Sequence, residues 1–170
     1  LIFASNIRFG SENITSDIMQ AFQLSFNEAE RIKTLHGGLL VTNLDDNELI
    51  ELSFSDANKE FYNYDRPFIS RAELISVIRP RCEEIIEEIQ LNLEKTGLEQ
   101  ISSKRIVFTG GGSQLPGLYE LASEYFGSRI RIGRPMRVQG LPQALQGSQF
   151  SAIIGLAIEI GNLQDEVWDF

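Results

Sequence analysis

Two groups of residues have the types and spacing to do chemistry. Gly110-Gly111-Gly112-Ser113-Gln114 follows a β-prone run, Lys104–Thr109, and precedes a helical pattern that starts at Leu115. Consecutive glycines let a backbone turn sharply and approach a ligand without Cβ interference, and the amides of such a turn can face a phosphate or a nucleoside. The turn lacks the Lys-Ser/Thr ending of a P-loop and the spacing of a G-x-G-x-x-G dinucleotide turn. On its own it is as well explained as a plain tight turn. The second group is Glu30 and Lys33. They lie one helical turn apart and can point at one ligand, although at that spacing a surface ion pair is the simpler account.

The elements around these residues decide whether the two groups can meet. Apolar alternation in residues 1–10 (Ile7, Phe9) predicts a strand pair or one bent strand ending at Gly10. Ile14, Ile18, Ala21 and Phe22 predict a short amphipathic helix over 13–24. Ser25-Phe26-Asn27-Glu28 fits a capping box that opens a helix to about His36, stopped by Gly37-Gly38. Leu39–Asn43 and Leu49–Phe54 read as strands around the turn residues Asp45-Asp46-Asn47, and residues 56–67 read as a loop. A second capping box, Ser70-Arg71-Ala72-Glu73, opens the longest helical pattern, to about Lys95. Its core stripe is Leu74, Ile75, Ile78, Cys82, Ile85, Ile86, Ile89 and Leu93, with Pro80 expected to kink or divide it and Gly97 to stop it.

After the glycine turn, the helix carrying Pro116 in its first turn should end at Gly127. A strand follows at Ile130–Ile132, then a Gly-, Pro- and Gln-rich loop over 136–149. Ser151–Ile160 reads as a helix buried on most sides. The order of elements implies an α/β unit, residues 1–24 with 104–165, interrupted by a smaller α+β module at 25–103. Residues 166–170 read as an acidic linker stub.

Fifteen Lys and Arg against 24 Asp and Glu give a net charge of −9, which argues against nucleic acid as a partner. A chain of 170 residues that is 42% hydrophobic and 23% charged has material for a core. One cysteine, Cys82, excludes an internal disulfide and a Cys-rich zinc site, and it lies on the apolar stripe as a small hydrophobe. No apolar run is long enough to span a membrane, and the start carries no signal-peptide pattern, so the chain reads as cytoplasmic. It lacks an initial methionine and reads as a piece of something longer. Glu83, Glu84, Glu87 and Glu88 read as the solvated face of a helix rather than as catalytic carboxylates, and His36 as a helix-end cation.

The longer string Ile106-Val107-Phe108-Thr109-Gly110-Gly111-Gly112-Ser113-Gln114-Leu115-Pro116-Gly117-Leu118 resembles the adenosine motif of the actin-like ATPases. Phe126-Gly127, Arg131-Ile132-Gly133-Arg134-Pro135 and Gly140-Leu141 narrow the resemblance to the bacterial cell-division FtsA family. Glu28–Lys33, Ser70–Leu74, Val77–Arg81 and Ser151–Ala157 agree with it. The resemblance implies an actin-like (ribonuclease H-like) fold, of which this chain matches only the second lobe, subdomains 2A and 2B. It implies ATP as ligand, with Mg in the whole protein. Gly110, Gly111, Gly112, Ser113 and Gln114 would lie on the sugar or base side, with Glu30 and Lys33 reaching ribose and adenine. Gly10 is included too, although Gly10-Ser11-Glu12 stands where the family commonly has Gly-Gly-Asp.

The resemblance also implies a partner, the C-terminal tail peptide of FtsZ, with Arg81 and Arg71 meeting its acidic groups. The competing account pairs these arginines with Glu73, Glu83 or Glu84 on their own helix. In the whole protein the family would form actin-like filaments and sit on the cytoplasmic face of the inner membrane through a basic tail, whereas Asp165–Asp169 is acidic. No catalytic or metal-binding residue is expected in this piece, and so no ATPase activity. The rival readings are a pilus-assembly or other actin-like scaffold, and a lobe of a sugar- or acetate-kinase relative.

Overall fold

The computed structural model describes residues 4–42, 45, 47–53, 67–96, 105–127, 130–136 and 138–162. The expectations for Asn43, Asp46, Phe54, most of the 56–67 loop, Gly97 and the 166–170 stub lie outside them.

Helix α3, Arg71–Lys95, is the longest element described and packs against three other helices and a strand. It starts at a complete capping box: Ser70 Oγ accepts from the Glu73 amide at 3.2 Å and Glu73 Oε2 accepts from the Ser70 amide at 2.8 Å. Pro80 does not divide it. The ring sits on an exposed face, so the one backbone bond it removes costs no buried partner. The opposite face buries Leu74, Ile75, Ile78, Cys82 and Ile86.

Helix α1 (Ser11–Phe22) and helix α2 (Phe26–His36) flank this face. Their Ile14, Ile18, Ala29 and Ile32 join Leu74, Ile78, Cys82 and Ile86 in one core cluster. Residues 4–10 form no strand, unlike the alternation reading. The α1 N-terminus is instead closed locally, with the Gly10 amide donating to Asn13 Oδ1 at 2.9 Å. At α2 only half of the expected capping box forms. Ser25 Oγ accepts from the Glu28 amide, but Glu28 is held by Arg31 and by the Ser53 amide instead of reaching back. At Gly37 the chain leaves α2 in extended backbone (φ −62°, ψ 152°), and a Cβ there would overlap the Lys33 carbonyl.

Strand β1 (Leu49–Glu51) pairs antiparallel with β2 (Phe68–Ser70), Ile50 opposite Ile69, both buried. Residues 39–42 are not a strand. Leu39 is nevertheless core, and its amide donates to the Pro116 carbonyl at 2.9 Å, tying this loop to the segment after the glycine turn.

Strand β3 (Ile106–Phe108) and strand β4 (Ile130–Ile132) pair in parallel, Val107 opposite Arg131, with helix α4 (Leu118–Phe126) as the crossover. Helix α4 starts later than the sequence suggests. Gly111–Gln114 is a 3-10 turn, Pro116 precedes the helix, and Gly117 (φ +87°) is its N-cap. A Cβ at Gly117 would press on Leu39 and Leu40, so that glycine is required twice over. Two further 3-10 turns, Gln143–Leu145 and Ser148–Phe150, lie in the 136–149 loop.

Helix α5, Ser151–Asn162, departs most from expectation. Of its apolar residues only Ile154 is buried, and Ile153, Leu156 and Ile160 are 63–69% exposed. The predicted burial on most sides fails because no described element lies on that face.

Candidate functional site

The N-terminal turn of α1 and the middle of α2 meet through a hydrogen-bonded cluster. Lys33 Nζ donates to Glu30 Oε2 (2.5 Å), to Thr15 Oγ1 (2.8 Å) and to the Ser11 carbonyl (3.2 Å). Thr15 Oγ1 donates to the same Glu30 oxygen at 2.6 Å. Lys33 is thus enclosed, its side chain 10% exposed, while that of Glu30 is 43% exposed. Burial acts to raise the Glu30 pKa, but the bonds from Lys33 and Thr15 outweigh it, and the carboxyl is held below the ordinary glutamate value. The result is an oriented anion facing solvent, backed by a cation already satisfied by the fold.

The glycine turn stands across from this cluster. Gly110 takes φ +95°, which only glycine adopts without strain, and its amide donates to the Ser148 carbonyl. Gly112 backs onto Ser11: a Cβ there would lie 3.0 Å from the Ser11 Cβ. Gly111 faces Gln149, whose Cβ would be 3.7 Å away. Between the turn and α2 is a cleft of about 490 Å³ bordered by Glu30, Lys33, Thr34, Gly111, Gly112 and Gln114, with Ile14 and Leu115 among its apolar members. A cleft of that size suits a small organic ligand.

Of the residues singled out in the sequence, the structure brings Glu30, Lys33, Gly111, Gly112 and Gln114 to this cleft. Gly110 and Ser113 form the turn behind it. The Ser113 hydroxyl is buried and donates to the Gly110 carbonyl at 2.7 Å. Gly10 caps α1 next to Ser11 but does not border the cleft. A larger cleft, about 680 Å³, lies on the other side of the same turn against Tyr119, Arg134, Gln143 and Gln146. Among the described residues no three His, Cys, Asp or Glu side chains converge as a metal site would need, and no helix is long and apolar enough to cross a membrane.

The two arginines have partners within the chain. Arg81 reaches Asp17 on α1 with two bonds, Nε to Oδ2 at 2.5 Å and Nη2 to Oδ1 at 2.9 Å. It also pairs with Glu84 and lies over the Phe9 ring. Arg71 donates to buried Asp45 at 2.6 Å and to the His36 carbonyl at 3.1 Å. The same-helix account is met in part, by Glu84, and the strongest partners lie on other elements.

Comparison with known proteins completes this picture. The family model for "Cell division protein FtsA" matches residues 1–155. The FtsA protein of Agrobacterium fabrum is 37% identical over 159 residues, covering 93% of this chain and 35% of the relative. That of Escherichia coli K12 is 30% identical over 159 residues, covering 88% and 36%.

This chain belongs to the FtsA family.

It spans about a third of the length of the curated FtsA relatives it matches. Two structures of MreB5 from Spiroplasma citri, one bound to AMPPNP and one to ADP, superpose with TM-scores of 0.68 and 0.65 at 15% and 14% identity. They cover 96–97% of this chain and 47–49% of theirs. That likeness establishes an actin-like fold.

The FtsA resemblance picked out the cleft residues with a motif. It did not assign Thr15 or Gln149 to the site, and it marked Ser11 only as a departure from the family's Gly-Gly-Asp. Ser11 and Thr15 are four apart on α1, a spacing that puts both on one face of a helix, and this was the available signal. Gln149 sits in an irregular loop, where periodicity carries no information.

Proposed function

We propose that the cleft between Lys33 and the glycine turn holds the adenosine part of ATP, and that this FtsA-family lobe serves cell division by coupling nucleotide occupancy to scaffold assembly. The observation that carries this reading is the Glu30–Lys33–Thr15 cluster set opposite Gly111 and Gly112. A carboxylate held ionised and half exposed is a natural acceptor for ribose hydroxyls. Two glycines let a sugar or base lie against bare backbone. The nucleotide-bound MreB5 structures share this fold.

The role is binding and not catalysis. In this reading the isolated chain is expected to release no phosphate from ATP. In the whole protein, ATP with Mg would also contact other parts of the molecule, and its occupancy would bias the geometry on which filament formation depends. The partner is the FtsZ tail peptide, docking beside α3. Glu84 is the exposed partner of Arg81 and is the contact an acidic peptide would replace. Arg71, tied to Asp45, would shape the surface. The proposed location is the cytoplasmic face of the membrane at the division site.

Titration of N-methylanthraniloyl-ATP into the chain, read by fluorescence anisotropy, tests the nucleotide reading. Saturable binding that Lys33→Ala weakens at least tenfold supports it, and binding that this variant leaves unchanged refutes it. For the partner, a labelled FtsZ tail peptide should bind saturably and lose affinity with Arg81→Glu. Equal binding by that variant would place the peptide elsewhere.

A further inference from the structure

Arg81 stands between two carboxylates that hold it in different ways. Asp17, on α1, takes the side-on edge of the guanidinium with both oxygens: Nε donates to Oδ2 at 2.5 Å and Nη2 to Oδ1 at 2.9 Å. Glu84, one turn further along α3, accepts from Nη1 alone. The Asp17 side chain is 24% exposed and that of Glu84 is 49% exposed. The guanidinium also lies over the Phe9 ring, its central carbon 5.9 Å from the ring centroid. Arg81 is thus held from one edge by Asp17 and from one face by Phe9.

A guanidinium has a second fork, made by Nη1 and Nη2 at its outer end. The three bonds to Asp17 and Glu84 leave one hydrogen on each of these two nitrogens. Glu84 shares Nη1 with the outer fork, whereas Asp17 occupies the other edge. A carboxylate arriving from solvent therefore meets Glu84 as a rival. It meets Asp17 as the group that already aims the arginine.

We infer that the two carboxylates have opposite roles toward the acidic tail peptide: Glu84 competes with it, and Asp17 is a positioning residue that holds Arg81 ready for it. This inference rests on the partner reading above. A free arginine loses side-chain freedom when a ligand fixes it, and that loss weakens binding by about two- to tenfold. With Asp17 in place the freedom is already lost in the folded chain. The Asp17 charge acts the other way, because it offsets Arg81 and repels an acidic ligand. At a partly exposed site salt screens that repulsion, so it amounts to about twofold or less. Positioning outweighs it, and the margin widens as salt rises.

The test measures binding of a labelled FtsZ tail peptide to the chain by anisotropy, at physiological and at high salt. Asp17→Asn, which replaces one accepting oxygen by a donor, should weaken binding about two- to fivefold, and more at high salt. Glu84→Gln should tighten it by about twofold. Arg81→Lys keeps the charge and loses the fork, so adding Asp17→Asn to it should cost less than Asp17→Asn costs beside Arg81. Urea midpoints establish that each variant is folded where binding is measured. If Asp17 is structural only, Asp17→Asn lowers the midpoint and leaves the affinity of the folded chain unchanged, and that result overturns the inference. Tighter binding by Asp17→Asn at both salts makes Asp17 a second competitor and overturns it too, as does weaker binding by Glu84→Gln. In each of these cases the partner reading stands. Peptide binding that Arg81→Glu leaves unchanged overturns that reading and this inference with it.

Discussion

The sequence marks α3 as an amphipathic helix with a core stripe and α5 as an apolar helix buried on most sides, and their apolar faces end up in opposite environments. Along α3 the stripe Leu74, Ile75, Ile78 is fully buried, and nearly every charged neighbour on the helix has an ion-pair or hydrogen-bond partner. Along α5, Ile153, Leu156, Ala157 and Ile160 recur at three and four residues and stand exposed. Periodicity reports that a face is apolar. It does not report what covers it, because the cover is a property of other elements. Helix α3 finds α1, α2 and α4 within this chain, and α5 finds the Ser148–Phe150 turn.

The contrast breaks first at the core. Ile78→Ala should destabilise the chain by about 2–5 kcal/mol, through lost burial and the cavity left behind. Leu156→Ala should change stability by less than about 0.5 kcal/mol. Urea midpoints for the two variants measure this directly, and equal losses would show that α5 is covered in solution.

A smaller effect is expected at the ion pairs that bind α3 to its neighbours. Asp45→Ala removes the acceptor of both the Thr42 amide and Arg71, so its urea midpoint should fall below that of Asp17→Asn. Asp17→Asn weakens the Arg81 pair, about a quarter exposed and worth about 0.5–1 kcal/mol, and that loss should shrink in high salt.

Acid should act on the same side of the molecule. For Glu28 and Glu30, burial favours the protonated form, but Arg31 and Lys33 outweigh it. For Asp45 the Thr42 amide is the largest cause. All three therefore have folded pKa values below the ordinary 4.5 and 3.8. Their contribution is present above those values and is lost as pH falls through the lower folded ones. Stability should be level above about pH 5 and decline below it, and Glu30→Gln should flatten part of the decline. Cys82 is the reverse case. Burial pushes its thiol up to about 12, so thiol reagents should label it only as the chain unfolds.

Where local chemistry decides, the sequence was readable. The Ser70–Glu73 box fixed the start of α3 to the residue, because both of its bonds lie within four residues. The Ser25–Glu28 box looked the same and formed only in part, because Arg31 and the Ser53 amide compete for Glu28. That competition is tertiary and leaves no mark on the local pattern. The site divides similarly. Glu30, Lys33 and the glycines carry a motif, whereas Gln149 is brought to the cleft by the Ser148 anchors across some 35 residues of chain. Arg81 was legible as a residue able to bind a carboxylate. That the carboxylate would be Asp17, 64 residues away, was not.

The central claim is that nucleotide lies between α2 and the glycine turn, and not in the larger cleft behind it. Amide chemical-shift mapping of the isotope-labelled chain during ATP addition separates the two. The account predicts saturating shifts at Lys33, Thr34 and Gly110–Gln114, with Tyr119 and Gln146 unmoved. Saturating shifts at Tyr119 and Gln146 with Lys33 and Thr34 silent, or no shifts at millimolar ATP, would contradict it.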